Sequence, residues 1–469
     1  MLRPLTLDEI AEVTSGAVVH GDGEETVTSV STDTRTIRPG ALFVALKGER
    51  HDGHAYVAAA AAAGAGAVLV ERALHADVRE VVVSDTLRAY GDIARFLRDT
   101  FAGPVVAVTG SVGKTTTKEM IAQVLERAFA VHKSEANHNN EIGVPQTLFS
   151  LTDRHNALVL EMGMRGPGQI TRLCEIAGPT IGVITNIGLS HVEMLGSPEA
   201  IADAKGELLQ ELPSDNGCAV LPKGDAHFNR LRTRYHGATL SCALDDPAAD
   251  LSATDLARHE NGWRFTVHTP WGRTKMFLPS AGRFNVENAL FAVAVGGHLN
   301  VPLASIAHAL AGWTAPAMRL EVVTTPGGIT LLSDAYNASP ASMKGALETL
   351  RDIPGARRRV AVLGEMRELG DFAEAGHADV GRAAAGANLD LLVCVGGPHV
   401  NALADAARAA GLSPAAIRAF ADTEEARAAL PALLAPGDAV LVKGSRAMAM
   451  ETIVRDLTAT LNTGEEPEA

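Results

Sequence analysis

Short apolar runs recur along the chain, each followed by a stretch with helical spacing. Residues 104–110, PVVAVTG, form a continuous apolar run of the kind that reads as a strand buried on both faces. The segment after it, TTTKEMIAQVLERAF (115–129), sets Met120, Ile121, Val124 and Leu125 on one face and predicts a helix. Further strands are predicted at 157–163 (ALVLEMG) and 180–188 (TIGVITNIG). Strands alternating with helices predict a parallel sheet. Nearer the N-terminus, 55–70 predicts an Ala-rich helix, a turn at 64–66 and a buried strand AVLV. That run is too short to span a bilayer. Residues 214–282 pattern differently. WRFTVHTP and TKMFLPS alternate like antiparallel strands between Pro and Gly turns. A last series, RVAVLGEM (359–366), LDLLVCVGG (389–397) and DAVLVKGS (438–445), is separated by Ala-rich helical stretches and predicts a Rossmann-like unit. The tail TGEEPEA (463–469) is expected to be disordered.

A chain of 469 residues exceeds what one hydrophobic core supports. The turn at 101–104 and a second break near 313–318 divide it into expected domains at 1–102, 103–316 and 317–469. The fold class is α/β. It comprises a mixed α/β N-terminal domain, a central parallel-sheet domain of P-loop ATPase type and a Rossmann-like C-terminal domain. The net charge of −14 disfavours duplex DNA and anionic membranes as partners. Aromatics at 4% supply few stacking platforms for single strands. Four cysteines without Cys-x-x-Cys spacing read as buried and reduced. The opening MLRPLTLDEI lacks the apolar stretch of a signal peptide, so a cytoplasmic protein is expected.

The strongest chemical signal is Gly110-Ser111-Val112-Gly113-Lys114-Thr115-Thr116, between the first central strand and its helix. The glycines let backbone N–H groups turn inward, and the helix N-terminus adds partial positive charge. Lys114 can reach β- and γ-phosphates and the Thr115 hydroxyl can ligate Mg²⁺. The full Walker spacing wants glycine where Val108 stands, so the loop is a shortened variant. An Asn-Lys-x-Asp segment for guanine is absent, which favours ATP.

Other candidates stand at strand ends. Glu161 closes a strand and reads as a Mg²⁺ ligand or a solvated strand end. His191 and Glu193 follow the strand at 180–188; a lone histidine is more often structural than a ligand. Ser197-Pro198 starts a helix on which Lys205, taken alone, reads as a surface lysine. Residues 334–340, Asp-Ala-Tyr-Asn-Ala-Ser-Pro, read as a loop facing a cleft or a plain β–α turn. Tyr336 could stack on a base there, and Arg319 could reach a phosphate or make an ordinary salt bridge. The run 357–359 of arginines reads as a solvated face.

Several segments in order resemble the Mur ligases: STDTR (31–35), GALFVALKGERHDGH (40–54), TGSVGKTTTKEM (109–120), NHNNEIGVP (137–145), EMG (161–163), TNIGLSHVE (185–193), AKGE (204–207), GRFNVENA (282–289), MRLE (318–321), SDAYNASP (333–340), VLGEMRELG (362–370) and LVKGSRAMAME (441–451). The resemblance covers residues 5–460. Within the family, SDAYNASP with KGSRAMAME points to the member that adds D-alanyl-D-alanine to UDP-N-acetylmuramoyl-tripeptide. The Asp-Asn-Pro-Arg of the sibling that adds the third residue is absent.

The resemblance implies a UDP site in the N-terminal domain at Ser31, Asp33, Arg35, Lys47, Gly48 and Asp52. It implies ATP on residues 110–116 with Asn285, Asn288, Arg319, Asp334 and Tyr336. Thr115 and Glu161 would hold one Mg²⁺ and His191 a second. Lys205 matches a family lysine that is carbamylated, which reverses the surface reading: a carbamate anion can ligate or position Mg²⁺. Asn137, Asn139, Asn140 and Asn337 would meet the muramoyl-peptide or dipeptide. Lys443, Ser445 and Arg446 would serve D-alanyl-D-alanine. Lys114, His191, Lys205 and Arg319 would be the catalytic set. Phe284 stands where some members carry histidine. The implied enzyme is a monomer that makes an amide through an acyl phosphate. A sibling ligase such as a folylpolyglutamate synthetase, an ATP-dependent switch and a nicotinamide oxidoreductase remain alternatives; the last lacks a G-x-G-x-x-G turn of the right spacing.

Overall fold

A computed structural model describes residues 1–48, 51–325 and 327–460, the side chain of Thr460 excepted; the tail at 463–469 lies outside the described residues. Three main sheets follow one another along the chain. The first orders its strands Ala17–His20, Arg79–Val82, Ala67–Val70, Ala41–Val44 and Ser29–Ser31, with Ala17–His20 antiparallel to its neighbour and the rest parallel. The last orders Glu321–Thr324, Thr330–Ser333, Asp438–Lys443, Arg358–Gly364, Leu391–Val395 and Ile417–Phe420. It is parallel apart from the edge strand Glu321–Thr324, as a Rossmann-like unit requires.

The central sheet has nine strands: Gly272–Leu278, Gly262–Thr269, Leu251–His259, Ala238–Leu244, Cys218–Pro222, Ile181–Ile184, Val105–Thr109, Ala157–Glu161 and Val131–Lys133. The seven strands from Leu251–His259 to Val131–Lys133 are parallel to one another, and Gly262–Thr269 and Gly272–Leu278 add the antiparallel extension foreseen from their alternation. The continuous apolar runs have a direct explanation. Val105, Ala107, Leu158 and Leu160 face one core, with Tyr90 and Ile93 of the helix Thr86–Arg98. Val106, Val108 and Val159 face another, with Met120 and Ile121 of Lys114–Leu125 and Val286 and Leu290 of Phe284–His298. Both faces are covered, so both alternations must be apolar.

Val105–Thr109 lies at the point where strand order reverses: the chain goes first to Val131–Lys133 and Ala157–Glu161 on one side, then to Ile181–Ile184 on the other. Glu161 pairs with Val108 and Ile184 with Thr109, so the three carboxyl ends open into one crevice. Such switch points are where open α/β sheets bind ligands.

Some expectations are corrected. The helix predicted to reach 129 ends at Leu125, because the chain tightens there into i→i−3 bonds, from the Arg127 amide to the Val124 carbonyl and from the Ala128 amide to the Leu125 carbonyl. The strand predicted over 180–188 ends at Ile184, because Thr185–Gly188 bends away toward the neighbouring loop. Lys205 is no surface residue; it is 1% exposed, on the inner face of Pro198–Gln210. The arginine run is not simply solvated, since Arg358 grips the buried Asp438 carboxylate with Nε at 2.8 Å and Nη2 at 2.6 Å. All four cysteines are buried and unpaired. No helix among the described residues is long and apolar enough to cross a membrane.

Candidate active site

The loop after Val105–Thr109 is held from behind by the chain after Ile184. Asn186 brackets Val112: its Oδ1 accepts the Val112 N–H at 2.9 Å and its Nδ2 donates to the Val112 carbonyl at 2.9 Å. The Thr185 hydroxyl donates to the same carbonyl at 2.6 Å, and the Ser111 N–H bonds the Asn186 carbonyl at 3.0 Å. Ser111 Oγ accepts from the Gly188 N–H at 2.8 Å. Gly110 has φ +145°, and a Cβ there would stand 1.9 Å from Thr185 Oγ1, so only glycine fits. With the amides of Ser111 and Val112 thus occupied, the donors left for an anion are those of the first turn of Lys114–Leu125. Its cap Gly113 supplies no side-chain oxygen to them.

From the opposite side Asn288 Oδ1 accepts from Thr117 Oγ1 at 3.2 Å, and its Nδ2 donates to Asn285, whose own Nδ2 donates to Ser280. Both asparagines are buried, and Asn288 sits where a Cβ on Gly113 would strike it. Their amide groups brace the loop as well as facing the cavity.

At the strand end, Glu161 is 3% exposed and has both oxygens engaged. Thr115 Oγ1 donates to Oε2 at 2.6 Å, and Asn139 Nδ2 donates to Oε1 at 2.8 Å. Asn140 Oδ1 accepts the Gly143 N–H at 2.9 Å and fixes the turn that carries Asn137 and Asn139 to the cavity. Lys114 Nζ donates to the Gly110 carbonyl at 2.8 Å, and Lys205 Nζ reaches the same oxygen at 3.1 Å from behind the loop. Burial first, and then the neighbouring Lys114 charge, push the Lys205 amine well below the usual lysine range. Burial also lowers Lys114; Glu161 opposes the shift and Arg319 adds to it.

These groups open into a cavity of about 1070 Å³ shared by the central and last sheets. Residues 111–116, Asn137, Asn139, Asn140, Glu161, His191, Phe284, Asn285, Asn288, Arg319, Asp334, Tyr336, Asn337, Lys443, Ser445 and Arg446 all line it. Lys205 and Gly110 do not. Arg319 lies between Met318 and Leu320, both held at positive φ (60° and 56°), and its guanidinium sits 4.0 Å from the Tyr336 ring centroid. One face of the tyrosine expected to stack on a base is thus covered by the arginine expected to reach a phosphate.

Lys443 is 2% exposed. Its ammonium donates to Asp334 Oδ2 at 2.6 Å and to the Asn337 carbonyl at 2.9 Å, so it ties two loops together. Ser445 Oγ accepts the Arg367 N–H at 2.8 Å, and Arg446 pairs with Glu451 at 2.8 Å. His191, at φ +65°, meets Glu368 of the last domain at 2.7 Å, and this contact, against the cost of burial, holds the Glu368 carboxyl below its usual range.

None of Ser31, Asp33, Arg35, Lys47, Gly48 and Asp52 lines this cavity. Arg35 forks onto Asp33, with Nη2 at 2.7 Å from Oδ2, which holds that carboxyl down at about 2. Lys47 and Asp52 pair across an isolated bridge. Asp52 Oδ1 accepts from the His54 N–H at 2.9 Å and lies 2.6 Å from His54 Nδ1; these two contacts hold its carboxyl low. His54 Nε2 accepts from the Glu71 N–H, which leaves Nδ1 to carry the proton toward Asp52.

Sequence reasoning assigned no role to Asn186, Thr185, Glu287, Arg367 or Glu368. Their segments were visible as TNIG, NVEN and GEMREL, but a polar residue in a loop carries no sign of which neighbour it will meet. Glu287 lines the cavity, and burial together with the nearby Asp225 pushes its carboxyl up to about 7, with Arg283 opposing.

Residues 26–97, 108–296 and 318–446 match, in turn, the Mur ligase family catalytic domain, the Mur ligase middle domain and the Mur ligase glutamate ligase domain. A relative from Bacillus subtilis (strain 168), the UDP-N-acetylmuramoyl-tripeptide–D-alanyl-D-alanine ligase, is 35% identical over 96% of this chain and 98% of its own. The crystal structure of MurF from Acinetobacter baumannii superposes with a TM-score of 0.90 at 32% identity, covering 98% of this chain and 99% of its own. That of MurF ligase from Thermotoga maritima in complex with ADP gives 0.82 at 28% identity, over 93% and 98%.

Proposed function

The chain belongs to the Mur ligase family, and we propose that it joins D-alanyl-D-alanine to UDP-N-acetylmuramoyl-tripeptide, releasing ADP and phosphate. This reading is carried by one observation: the phosphate loop, with Lys114 and the Thr115–Glu161 pair, opens into the same cavity as Arg319, Arg446 and Arg367 of the last domain. A triphosphate and a second anionic substrate can meet there. The names of the relatives supply the substrate identities.

Mg²⁺ fits the donor set. Among the described residues no three His, Cys, Asp or Glu side chains cluster, as a Zn²⁺ site would need. One carboxylate and one hydroxyl facing a phosphate site suit Mg²⁺, which takes few protein ligands and completes its shell with phosphate oxygens and water. Thr115 and Glu161 would hold one ion and His191 a second. When bound, the ions neutralise phosphate charge and polarise the γ-phosphoryl group.

The tripeptide carboxylate attacks the γ-phosphorus, the bond to the β,γ-bridging oxygen breaks, and an acyl phosphate forms. The uncharged amine of D-alanyl-D-alanine then attacks the carbonyl carbon, loses a proton, and phosphate leaves. Lys114 lies against the loop where γ-phosphate charge develops, and its amine, destabilised as a cation by burial, gains a counter-charge when the nucleotide enters. Arg319 turns from Tyr336 toward the phosphates. On the opposite wall Arg446 and Arg367 are the cations suited to the dipeptide carboxylate, because both are exposed beside their partners Glu451 and Glu365, whereas Lys443 is buried against Asp334.

Lys205 is proposed to react with CO₂: its neutral amine attacks the carbon and releases a proton, giving a carbamate. Its buried, cation-disfavouring position supports this. The residues at 31–52 are proposed for the uridine diphosphate, within a domain spanning 1–102, with ATP in 103–316 and the dipeptide in 317–469. A cytoplasmic monomer is the proposed working form.

The test is an ADP-release assay with UDP-muramoyl-tripeptides and a panel of acceptors. ADP release requiring both the tripeptide and D-alanyl-D-alanine is expected. Release with glutamate or diaminopimelate in its place would assign a sibling activity, and release without any acceptor would leave an ATPase.

A further inference from the structure

Lys118 is 0% exposed, a full lysine side chain enclosed in the protein. Burying an ammonium is costly unless its partners are well placed, and an apolar side chain there would pack at no such cost. Its partners are the Ser134 carbonyl at 2.6 Å and Glu119 at 2.8 Å, while Glu119 also meets Lys133. Ser134 is itself 0% exposed, and its hydroxyl accepts the Glu161 N–H at 3.2 Å.

Thr115 and Lys118 lie one turn apart on Lys114–Leu125 and so share a face. The contacts therefore close a ring. Thr115 holds the Glu161 carboxylate, Ser134 holds the Glu161 backbone, and Lys118 holds Ser134 to the helix that carries Thr115. We propose that Lys118 is a positioning residue for the divalent-cation site: by pinning Ser134 to the phosphate-loop helix it fixes where the Glu161 carboxylate stands relative to Thr115. The inference rests on the ATP-ligase reading above. Lys118 touches no substrate and does not line the cavity. It acts through the backbone that presents Glu161, so its loss should be felt by the cation and not by the phosphate cradle.

The probe is ADP, titrated calorimetrically into the full-length protein with and without Mg²⁺. In the wild type Mg²⁺ strengthens ADP binding. In Lys118→Met, Mg²⁺-free affinity stays within about twofold of wild type, and the Mg²⁺-dependent gain falls at least tenfold. Ser134→Ala, which removes only a hydroxyl, lowers that gain severalfold, and the double variant is no worse than Lys118→Met because both cut one ring. An unaltered Mg²⁺-dependent gain in both variants would overturn the proposal. So would an equal loss with and without Mg²⁺, which signals general damage to the loop. If Lys118→Met fails to fold, Ser134→Ala decides alone by the same criterion. A wild-type protein whose ADP binding ignores Mg²⁺ would instead sink the ligase reading, and this inference with it.

Discussion

Asn186→Ala should weaken nucleotide binding out of proportion to its effect on stability. The amide of Asn186 makes two bonds to Val112, both at 2.9 Å, one to its N–H and one from its own Nδ2 to the carbonyl. Truncation deletes both. The Val112 carbonyl keeps the Thr185 hydroxyl at 2.6 Å, but the Val112 N–H is left without a partner. Each such bond is worth about 0.5–1.5 kcal/mol net, so the loop loses about 1–3 kcal/mol of its preference for the phosphate-ready shape. If that preference is recovered only when nucleotide binds, affinity falls by roughly 5- to 150-fold, since about 1.4 kcal/mol is a factor of ten. Calorimetric titration with ADP–Mg²⁺ reads the loss directly. Binding of UDP alone should not change, because the residues proposed for the uridine diphosphate, at 31–52, do not line this cavity. Asn186→Asp should be worse than alanine, since it lacks the donor and sets a negative charge beside the phosphates. ADP affinity within twofold of wild type in Asn186→Ala would refute the claim that this side chain shapes the loop.

Other expectations follow from the same geometry. Gly110→Ala should abolish ATP-dependent turnover while the protein still folds, because a Cβ at φ +145° would collide with Thr185; normal turnover would contradict the tight loop. Glu287 has a carboxyl raised from 4.5 to about 7, so between those values the folded protein keeps a proton that the unfolded chain has lost. Stability therefore falls as pH rises through that window, by at most about 3 kcal/mol. Glu287→Gln should flatten the dependence of the thermal midpoint on pH between 4.5 and 7, and an unchanged slope would reject the assignment. Lys443→Met should destabilise by about 3–5 kcal/mol, since it strands the Asp334 carboxylate. Denaturant unfolding should show much of that loss recovered when Asp334→Asn is added, and a purely additive double variant would deny the coupling.

Much of the fold was legible because burial on both faces leaves a strong mark on sequence. Val105–Thr109 and Ala157–Glu161 are apolar at successive positions because alternate residues enter different cores. The phosphate loop was legible for a related reason. Glycine, lysine and hydroxyl residues between a strand and a helix are a local arrangement, complete within seven positions.

What tertiary structure alone decided is everything that depends on which segments meet. Lys205, taken alone, read as a surface lysine, and Lys443 was singled out only by resemblance, yet each is buried, one against Gly110 and the other between Asp334 and Asn337. Asn186 lies 74 positions from Val112, and Lys443 lies 109 from Asp334. Hydrogen bonds of that span follow from sheet order and from the reversal of that order at Val105–Thr109, which periodicity cannot encode. Local pattern fixes the elements because side-chain period and backbone geometry are matched within a few residues. The partners of a polar side chain are set by packing of the whole chain, and so they become visible only once it has folded.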